Sequence, residues 1–350
     1  MQYHYVMKNC IVVTGGGTAG HIMPIIALLP ELKKHYKEIV YIGSHFGMEQ
    51  DIIKNYPYVR FCAVDTIKFD RTHLLKNLKI PFVLLKGIKQ CKNILKTHNV
   101  DCIFSKGGYV SLPCVLASGK IPVIAHESDL SLGLANKIIY HKCKVMCISF
   151  TMQKQKRKFV YTGLPIRKLQ KSAVGVKLNL QKNKRTLLVI GGSLGATSLN
   201  NAVRIVADEL CKQVNIIHIV GRGNLDGKTY PKNYNQIEFT DAMGDILPIC
   251  DYAISRAGAT AICELLYFNI PMLLVPLSKK VSRGDQEQNA NYYQNRGYAN
   301  VLLSEHLTPN NLLKSFEKLV RDAESIKAKQ QVEKIDATDA VLKQILKYSK

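Results

Sequence analysis

The sequence is short of acid. It holds 26 Asp and Glu against 49 Lys and Arg, a formal net charge of +23. Such a balance points to a polyanionic partner: a nucleic acid, an anionic membrane surface or a phosphorylated substrate. The drift of a lysine-rich composition gives the same excess without any partner. The excess leans to the first half, where residues 1–165 carry 23 Lys+Arg and 9 Asp+Glu. No recognition motif with interleaved aromatics is present, so a nucleic-acid reading rests on charge alone and no nucleic-acid partner is expected. No uninterrupted apolar run reaches the ~18 residues a transmembrane helix needs. The stretch from Met1 to Lys8 is polar and enters a strand directly, so a cleaved signal peptide is not expected. Ten cysteines include no C-x-x-C pair. Cys143 and Cys147 are close in sequence but lack neighbours at zinc spacing. They read as reduced, buried thiols of a cytosolic protein, and no metal is expected.

What is present is organised around Thr14-Gly15-Gly16-Gly17-Thr18-Ala19-Gly20-His21. The apolar run Cys10–Val13 before it reads as a buried parallel strand. Ile22 to Lys34 after it reads as a helix with Pro24 in its first turn. A glycine turn between strand and helix lets backbone N–H groups approach a phosphate, and the helix N-terminus adds partial positive charge there. Gly15, Gly17 and Gly20 satisfy G-x-G-x-x-G, but the dinucleotide fingerprint also needs an acid at the end of the next strand. That strand, Ile39–Ile42, ends in Gly43-Ser44-His45, and Glu49 comes too late. NAD is therefore disfavoured. His21 places an imidazole at the mouth of the turn.

Further glycine turns follow apolar strands at Gly107-Gly108 and Gly191-Gly192-Ser193-Leu194-Gly195, and polar groups follow strands at His126 to Asp129 and at Arg256. In a parallel sheet all of these lie at the carboxyl edge, where open α/β sheets bind ligands. Strand-turn-helix units run to about Thr162, pass a Lys/Asn/Gln-rich linker at 168–185, and restart at Leu187. Beyond it Ser198 to Cys211 reads as a helix, Ile237–Phe239 as a strand, and the chain closes with helices over roughly Pro309 to Lys318 and then a long polar one to the C-terminus. The expectation is two tandem α/β domains, residues 1–165 and 166–330, with a cleft between their loop edges, and a helix over 331–350 that packs back on the first domain. In the second domain Ser193 suits a phosphate, Arg256 a diphosphate, Glu264 the two hydroxyls of a ribose and Gln286 a hydroxylated ring. Within the first domain, between its two glycine turns, lies Arg71 to Val100, with Leu74, Leu75, Leu78, Phe82 and Leu85 among six lysines and no acid. It suits an anionic bilayer, and equally a core helix with a solvated lysine face.

Taken in order, Thr14 to His21, Gly107-Gly-Tyr-Val-Ser111, His126-Glu127, Gly191-Gly-Ser-Leu-Gly-Ala196, Arg256-Ala-Gly-Ala259 with Glu264, and Asp285-Gln286-x-x-Asn289-Ala290 resemble the MurG family of glycosyltransferases over about residues 9–300. The resemblance implies a GT-B fold, two Rossmann-like parallel-sheet domains facing a cleft. It implies inverting transfer of GlcNAc from UDP-GlcNAc to undecaprenyl-diphosphate-linked MurNAc-peptide, lipid I, giving lipid II for peptidoglycan. The implied place is the cytoplasmic membrane face, peripherally bound, with other cell-wall synthesis proteins as partners. No Asp-x-Asp occurs, in keeping with a transferase that uses no metal clamp, and no cofactor is expected.

Carried over by motif, the donor contacts fall on Thr18, Ala19, Gly20, Arg167, Ser193, Ala259, Thr260, Ala261, Ile262, Cys263, Glu264 and Gln286, with Arg256 at the diphosphate. His21 is implied as the base or an acceptor-positioning group, with Glu127 the next candidate for that role. Four positions depart from the family pattern: Ala19 for Gly, Asp129 for Asn in the sugar-holding loop, Thr240 for Ile near the uracil, and Leu164 for Asn before Pro165. The alternatives are a GT-B diacylglycerol glucosyltransferase and a non-catalytic nucleotide-sugar-binding protein.

Overall fold

The computed structural model describes residues 7–70, 73–151, 157–167, 177–192, 195–240, 242–280, 282–331 and 336–350. The chain divides into two units. One spans residues 1–167 and 335–350, the other 168–334.

The first unit opens with β1 (Lys8–Gly15), α1 (Ala19–His35), β2 (Tyr36–Ser44), α2 (Met48–Ile53) and β3 (Val59–Val64). After a two-turn 3-10 segment, Leu74–Lys79, come α3 (Ile80–Thr97), β4 (Val100–Gly107), α4 (Ser111–Ala117), β5 (Val123–Glu127), α5 (Leu134–Lys142), β6 (Val145–Ile148) and β7 (Phe159–Tyr161). The seven strands form one sheet in the order β3-β2-β1-β4-β5-β6-β7, and every pairing is parallel. Strands covered on both faces must be apolar throughout rather than alternating. Ile11, Val12 and Val13 of β1 and Ile103 and Phe104 of β4 are accordingly fully buried.

The second unit repeats the scheme with β8 (Arg185–Ile190), α6 (Thr197–Ile205), α7 (Ala207–Gln213), β9 (Val214–Ile219), β10 (Tyr234–Ile237), α8 (Met243–Ile246), β11 (Tyr252–Ser255), α9 (Ala259–Tyr267), β12 (Met272–Leu274), α10 (Asp285–Asn295), β13 (Ala299–Val301) and α11 (Pro309–Gln330). Its six parallel strands run β10-β9-β8-β11-β12-β13. The last helix, α12 (Ala337–Tyr348), belongs to the first unit. Its Val341, Leu342 and Ile345 share a core with Ile11, Leu28 and Phe104, and Ser349 Oγ accepts from Tyr36 Oη at 2.9 Å.

Several elements differ from their expected bounds. The helix expected over Ser198–Cys211 breaks at Val206 (φ −102°, ψ 16°). Val206 and Ala207 are both buried, and an unbroken helix would splay these consecutive side chains about 100° apart. The strand expected at Ile237–Phe239 is shifted to Tyr234–Ile237, because Tyr234 is the buried member, bonded through its hydroxyl to His218 Nδ1 at 2.7 Å. The helix expected to stop at Lys318 continues to Gln330, its buried stripe running on through Leu319, Ala323 and Ile326. Of the expected 168–185 linker, residues 168–176 lie outside the described residues.

Candidate active site

In both sheets the chain reverses its direction of strand addition next to the first strand, between β1 and β4 and between β8 and β11. At such a switch point the outgoing loops diverge and leave a crevice at the carboxyl edge. The glycine turns after β1 and β4 flank the first crevice. The turns after β8 and β11 flank the second.

At the first crevice Thr18 is the exposed N-cap of α1, and its Oγ1 lies 2.9 Å from His21 Nδ1. His21 N donates to Thr18 O at 3.0 Å, a tight first turn. The imidazole reaches toward the second glycine turn: a Cβ on Gly108 would stand 3.4 Å from Nδ1. Gly107 and Gly108 have φ of +87° and +81°, which a side chain would strain. Ala19 and Gly20, half-buried, complete the turn.

The loop after β5 is held from inside. Glu127 is buried, and its Oε1 accepts from Asp129 N at 3.0 Å while Oε2 accepts from Gly133 N at 2.9 Å and Asn136 Nδ2 at 3.0 Å. Glu127, the candidate named after His21, is thus engaged by three donors and braces the loop after β5. Asp129, half-buried, is presented by that loop. His126 is fully buried with Nε2 2.9 Å from Gly163 O; burial, and then the charge of Lys106, hold it well below the ordinary histidine range. Lys106 is buried at the end of β4 and donates from Nζ to Ser128 Oγ. Sequence reasoning passed over Lys106, although a lysine closing an apolar strand before two glycines is a signal. Arg167, at the end of the first unit, has a buried Nε without a partner.

At the second crevice Arg256 follows β11 and is buried. Its Nη1 donates to Val275 O (3.0 Å) and Ser304 Oγ (2.8 Å), and Nη2 donates to Ser198 Oγ (2.8 Å). All three acceptors are neutral, and burial lowers its pKa from the ordinary arginine value. Helix α9 starts after Gly258 with no side-chain cap and no acid in its first turn, so its leading N–H groups stay available to an anion. Thr260, Ala261 and Glu264 are half-buried along it, and Glu264 borders a small apolar hollow with Ile190, Met243 and Leu247. Ala259 is buried at its start.

Ile262 and Cys263, also among the expected contacts, have buried side chains. Ile262 is fully buried and its N–H is spent on Gly258 O at 3.1 Å, while Cys263 Sγ turns to Tyr293 Oη at 3.8 Å. Gln286 opens α10, and its Oε1 accepts from Leu277 N at 3.0 Å. Thr240 Oγ1 accepts from Ala242 N at 3.0 Å and shapes the turn before Met243. Leu164 is simply buried. Ser193 lies outside the described residues.

One Cys/Glu/His cluster, Cys10, Glu38 and His98, has ligand atoms within 4.8 Å of one another. It sits at the amino end of β1, away from the glycine turn, with His98 Nδ1 2.9 Å and Arg60 Nε 3.4 Å from Glu38 and the Cys10 thiol pushed up to about 12 by burial. All ten cysteines are free. No helix among the described residues is long and apolar enough to cross a membrane.

Comparison with known proteins agrees with this arrangement. The glycosyltransferase family 28 N-terminal domain matches residues 11–148 and the glycosyltransferase family 28 C-terminal domain residues 186–345. A UDP-N-acetylglucosamine–N-acetylmuramyl-(pentapeptide) pyrophosphoryl-undecaprenol N-acetylglucosamine transferase of Clostridium botulinum (strain Alaska E43 / Type E3) is 43% identical, covering 97% of this chain and 98% of the relative. The enzyme of the same name from Geobacillus thermodenitrificans is 41% identical over 95% of this chain and 96% of its own. The crystal structure of Acinetobacter baumannii MurG superposes with a TM-score of 0.77 at 25% identity, covering 97% of this chain and 99% of that one. The chain has the GT-B fold and belongs to the MurG family of N-acetylglucosaminyltransferases within glycosyltransferase family 28.

Proposed function

We propose that this enzyme transfers GlcNAc from UDP-GlcNAc to an undecaprenyl-diphosphate-linked MurNAc-pentapeptide, with the two crevices dividing the work. The observation that carries the division is the Thr18–His21 pair at the first glycine turn, set against a buried arginine and an uncapped helix N-terminus at the second. An acceptor hydroxyl forms a bond to the sugar C1 as the bond from C1 to the UDP oxygen breaks. The hydroxyl proton goes to a base, and UDP leaves with the electron pair. When His21 Nδ1–H donates to Thr18 Oγ1, Nε2 keeps its lone pair and takes that proton. Thr18, Ala19 and Gly20 meet the donor sugar from the turn. Glu127 holds the loop that presents Asp129.

Donor recognition falls to the second unit. The N–H groups of Ala259, Thr260 and Ala261, Ser193 and the Arg256 charge meet the diphosphate. Glu264 accepts the ribose hydroxyls, and Gln286 bonds the sugar ring.

The lipid substrate is matched by a surface on the first unit. Leu75, Leu78, Phe82 and Leu85 are 65–82% exposed at three- and four-residue spacing, among Lys76, Lys79, Lys86 and Lys89. Phe82 and Leu85 face away from Gly87, Cys91 and Leu95, the buried side of α3. This face docks on the anionic cytoplasmic leaflet, apolar tips in the acyl boundary and lysines at the headgroups.

The test is UDP release from UDP-GlcNAc with a lipid I analogue or with diacylglycerol, for the wild type and His21→Ala. Turnover with the lipid I analogue alone, largely lost in the variant, supports both reaction and base. Turnover with diacylglycerol instead sinks the acceptor assignment. UDP-GlcNAc binding without turnover on either acceptor sinks catalysis.

A further inference from the structure

Glu49 lies behind the first glycine turn and is fully buried. It stands in the first turn of α2, where a carboxylate ordinarily serves its own helix N-terminus. Here it turns the other way. Oε1 accepts from Ser44 N at 3.0 Å and from Ser44 Oγ at 2.9 Å, and Oε2 accepts from Gly17 N at 3.4 Å. The partners are N–H and O–H groups of the β2 terminus and of the glycine turn. Burying a carboxylate is costly unless its oxygens are engaged, so this one is placed by its donors.

Three glycines from three segments make room for it. A Cβ on Gly16 would fall 2.6 Å from Oε1, one on Gly43 2.9 Å from Cγ, and one on Gly47 would strike the carboxylate itself. The turn is clamped from other sides as well. Tyr41 Oη donates to Gly15 O at 2.6 Å, and Ser111 Oγ donates to Thr14 O at 3.0 Å. The Tyr109 ring leaves no room for a side chain at Gly17, where φ is +82°. Of these contacts only Glu49 engages Gly17 N–H, the donor just before Thr18. That N–H therefore points into the protein, and the turn offers Thr18 and His21 outward in place of a full phosphate cradle.

We propose that Glu49 is a positioning residue for the transfer: it ties Gly17 to the end of β2 and so fixes the turn that presents Thr18 and His21. The inference rests on the reading of His21 given above. Glu49→Gln is isosteric and keeps an acceptor for Ser44, but it turns an amide N–H₂ toward Gly17 N–H, two donors face to face.

The experiment is a double-mutant cycle on kcat with a lipid I analogue, using wild type, Glu49→Gln, His21→Ala and the double variant. Hydrogen-exchange protection of the buried β1 and β2 amides reports the folded fraction of the first unit in each, and UDP-binding stoichiometry that of the second. Misplacing a reacting group by a fraction of an ångström to an ångström costs roughly 10- to 100-fold in rate. The expected result is a loss of that size in Glu49→Gln with β1 and β2 fully protected, and the double variant no slower than His21→Ala to within about twofold. A residue that only stabilised the fold would cost the same factor in both backgrounds, and such additivity overturns the proposal, as does a wild-type kcat in Glu49→Gln. If His21→Ala itself turns over like wild type, the reading of His21 has failed, and this inference with it. Should Glu49→Gln not accumulate as folded protein, Ser44→Ala removes one of the two bonds on Oε1 without touching the carboxylate. A several-fold loss that vanishes in the His21→Ala background then supports the link, and full activity or additivity overturns it.

Discussion

The two sheets share a topology and a switch point, yet their carboxyl edges are braced by different side chains. Behind the first edge stand two buried carboxylates, with the buried Lys106 held on Ser128 at the end of β4. Glu49 engages the glycine turn and Glu127 the loop after β5, so backbone donors that a phosphate would use are drawn inward. Behind the second edge stands a buried guanidinium on neutral acceptors, beside an uncapped helix N-terminus, so donors and positive charge stay free for an anion. Equal folds thus carry different chemistry through the side chain placed beneath the loop rather than through the loop itself. In the function proposed above, the first edge orients reacting groups and the second binds a diphosphate.

The largest effect expected of this division is on rate. His21→Ala should lower kcat by roughly 10²- to 10⁴-fold, the usual reach of a general base. UDP affinity, read by calorimetry, should stay within about threefold. A variant that loses UDP binding and rate together would erase the distinction between the edges. Arg256→Ala should act the other way, weakening UDP at least about tenfold. It should also cost on the order of 1–3 kcal/mol of stability, because Val275 O, Ser304 Oγ and Ser198 Oγ lose a buried donor. Unchanged UDP affinity at lowered melting temperature would reduce Arg256 to a brace.

How much of this was legible follows from how far apart the partners lie in sequence. Strand β1 and its turn were readable because an apolar run and its glycines are contiguous. The carboxyl edges were readable because polar residues directly follow apolar strands; the switch points depend on strand order, which no local pattern carries. Glu49 was weighed only as a ribose ligand and set aside, since its partner Gly17 lies 32 residues away and nothing local aims a carboxylate at it. The partners of Glu127, Gly133 N and Asn136 Nδ2, were likewise not legible, because nothing local aims them at its carboxylate. The closing helices were legible but their division was not: Phe316, Leu319, Ala323 and Ile326 carry one buried stripe past the expected break at Lys318 to Gln330.

Acid should test the two units separately. His126 in the first and His218 in the second are both buried neutral; burial pulls His218 down to about 3 and His126 well below its ordinary value. With folded pKa values depressed, the unfolded chain binds more protons once pH drops below about 6.5. The stability these residues allow is therefore complete above that pH and is lost as pH falls toward 3, at up to ~1.4 kcal/mol per pH unit each. His218→Asn should flatten the acid slope of the second unit alone, followed by chemical denaturation between pH 7 and 4. Parallel slopes with and without His218 would remove it as the titrating group.

The smallest effect should fall on the surface that the second unit has no part in. Lys79 and Lys89 are exposed beside the apolar face of Leu75, Leu78, Phe82 and Leu85, whereas Lys86 is partly spent on Asp65 at 2.8 Å. A lysine near an anionic surface contributes on the order of a fivefold gain in binding. Lys79→Gln and Lys89→Gln should each weaken attachment to vesicles containing phosphatidylglycerol by about that factor, and less as salt rises, because the screening length shortens. Lys86→Gln should do less, its charge being shared with Asp65. Phe82→Ser should weaken attachment to neutral and anionic vesicles alike, since it withdraws apolar area rather than charge. None of the four should change UDP affinity or turnover of a water-soluble acceptor, because the face carries no group of either crevice. Loss of soluble turnover in Phe82→Ser would place the patch in the acceptor site instead of at the membrane.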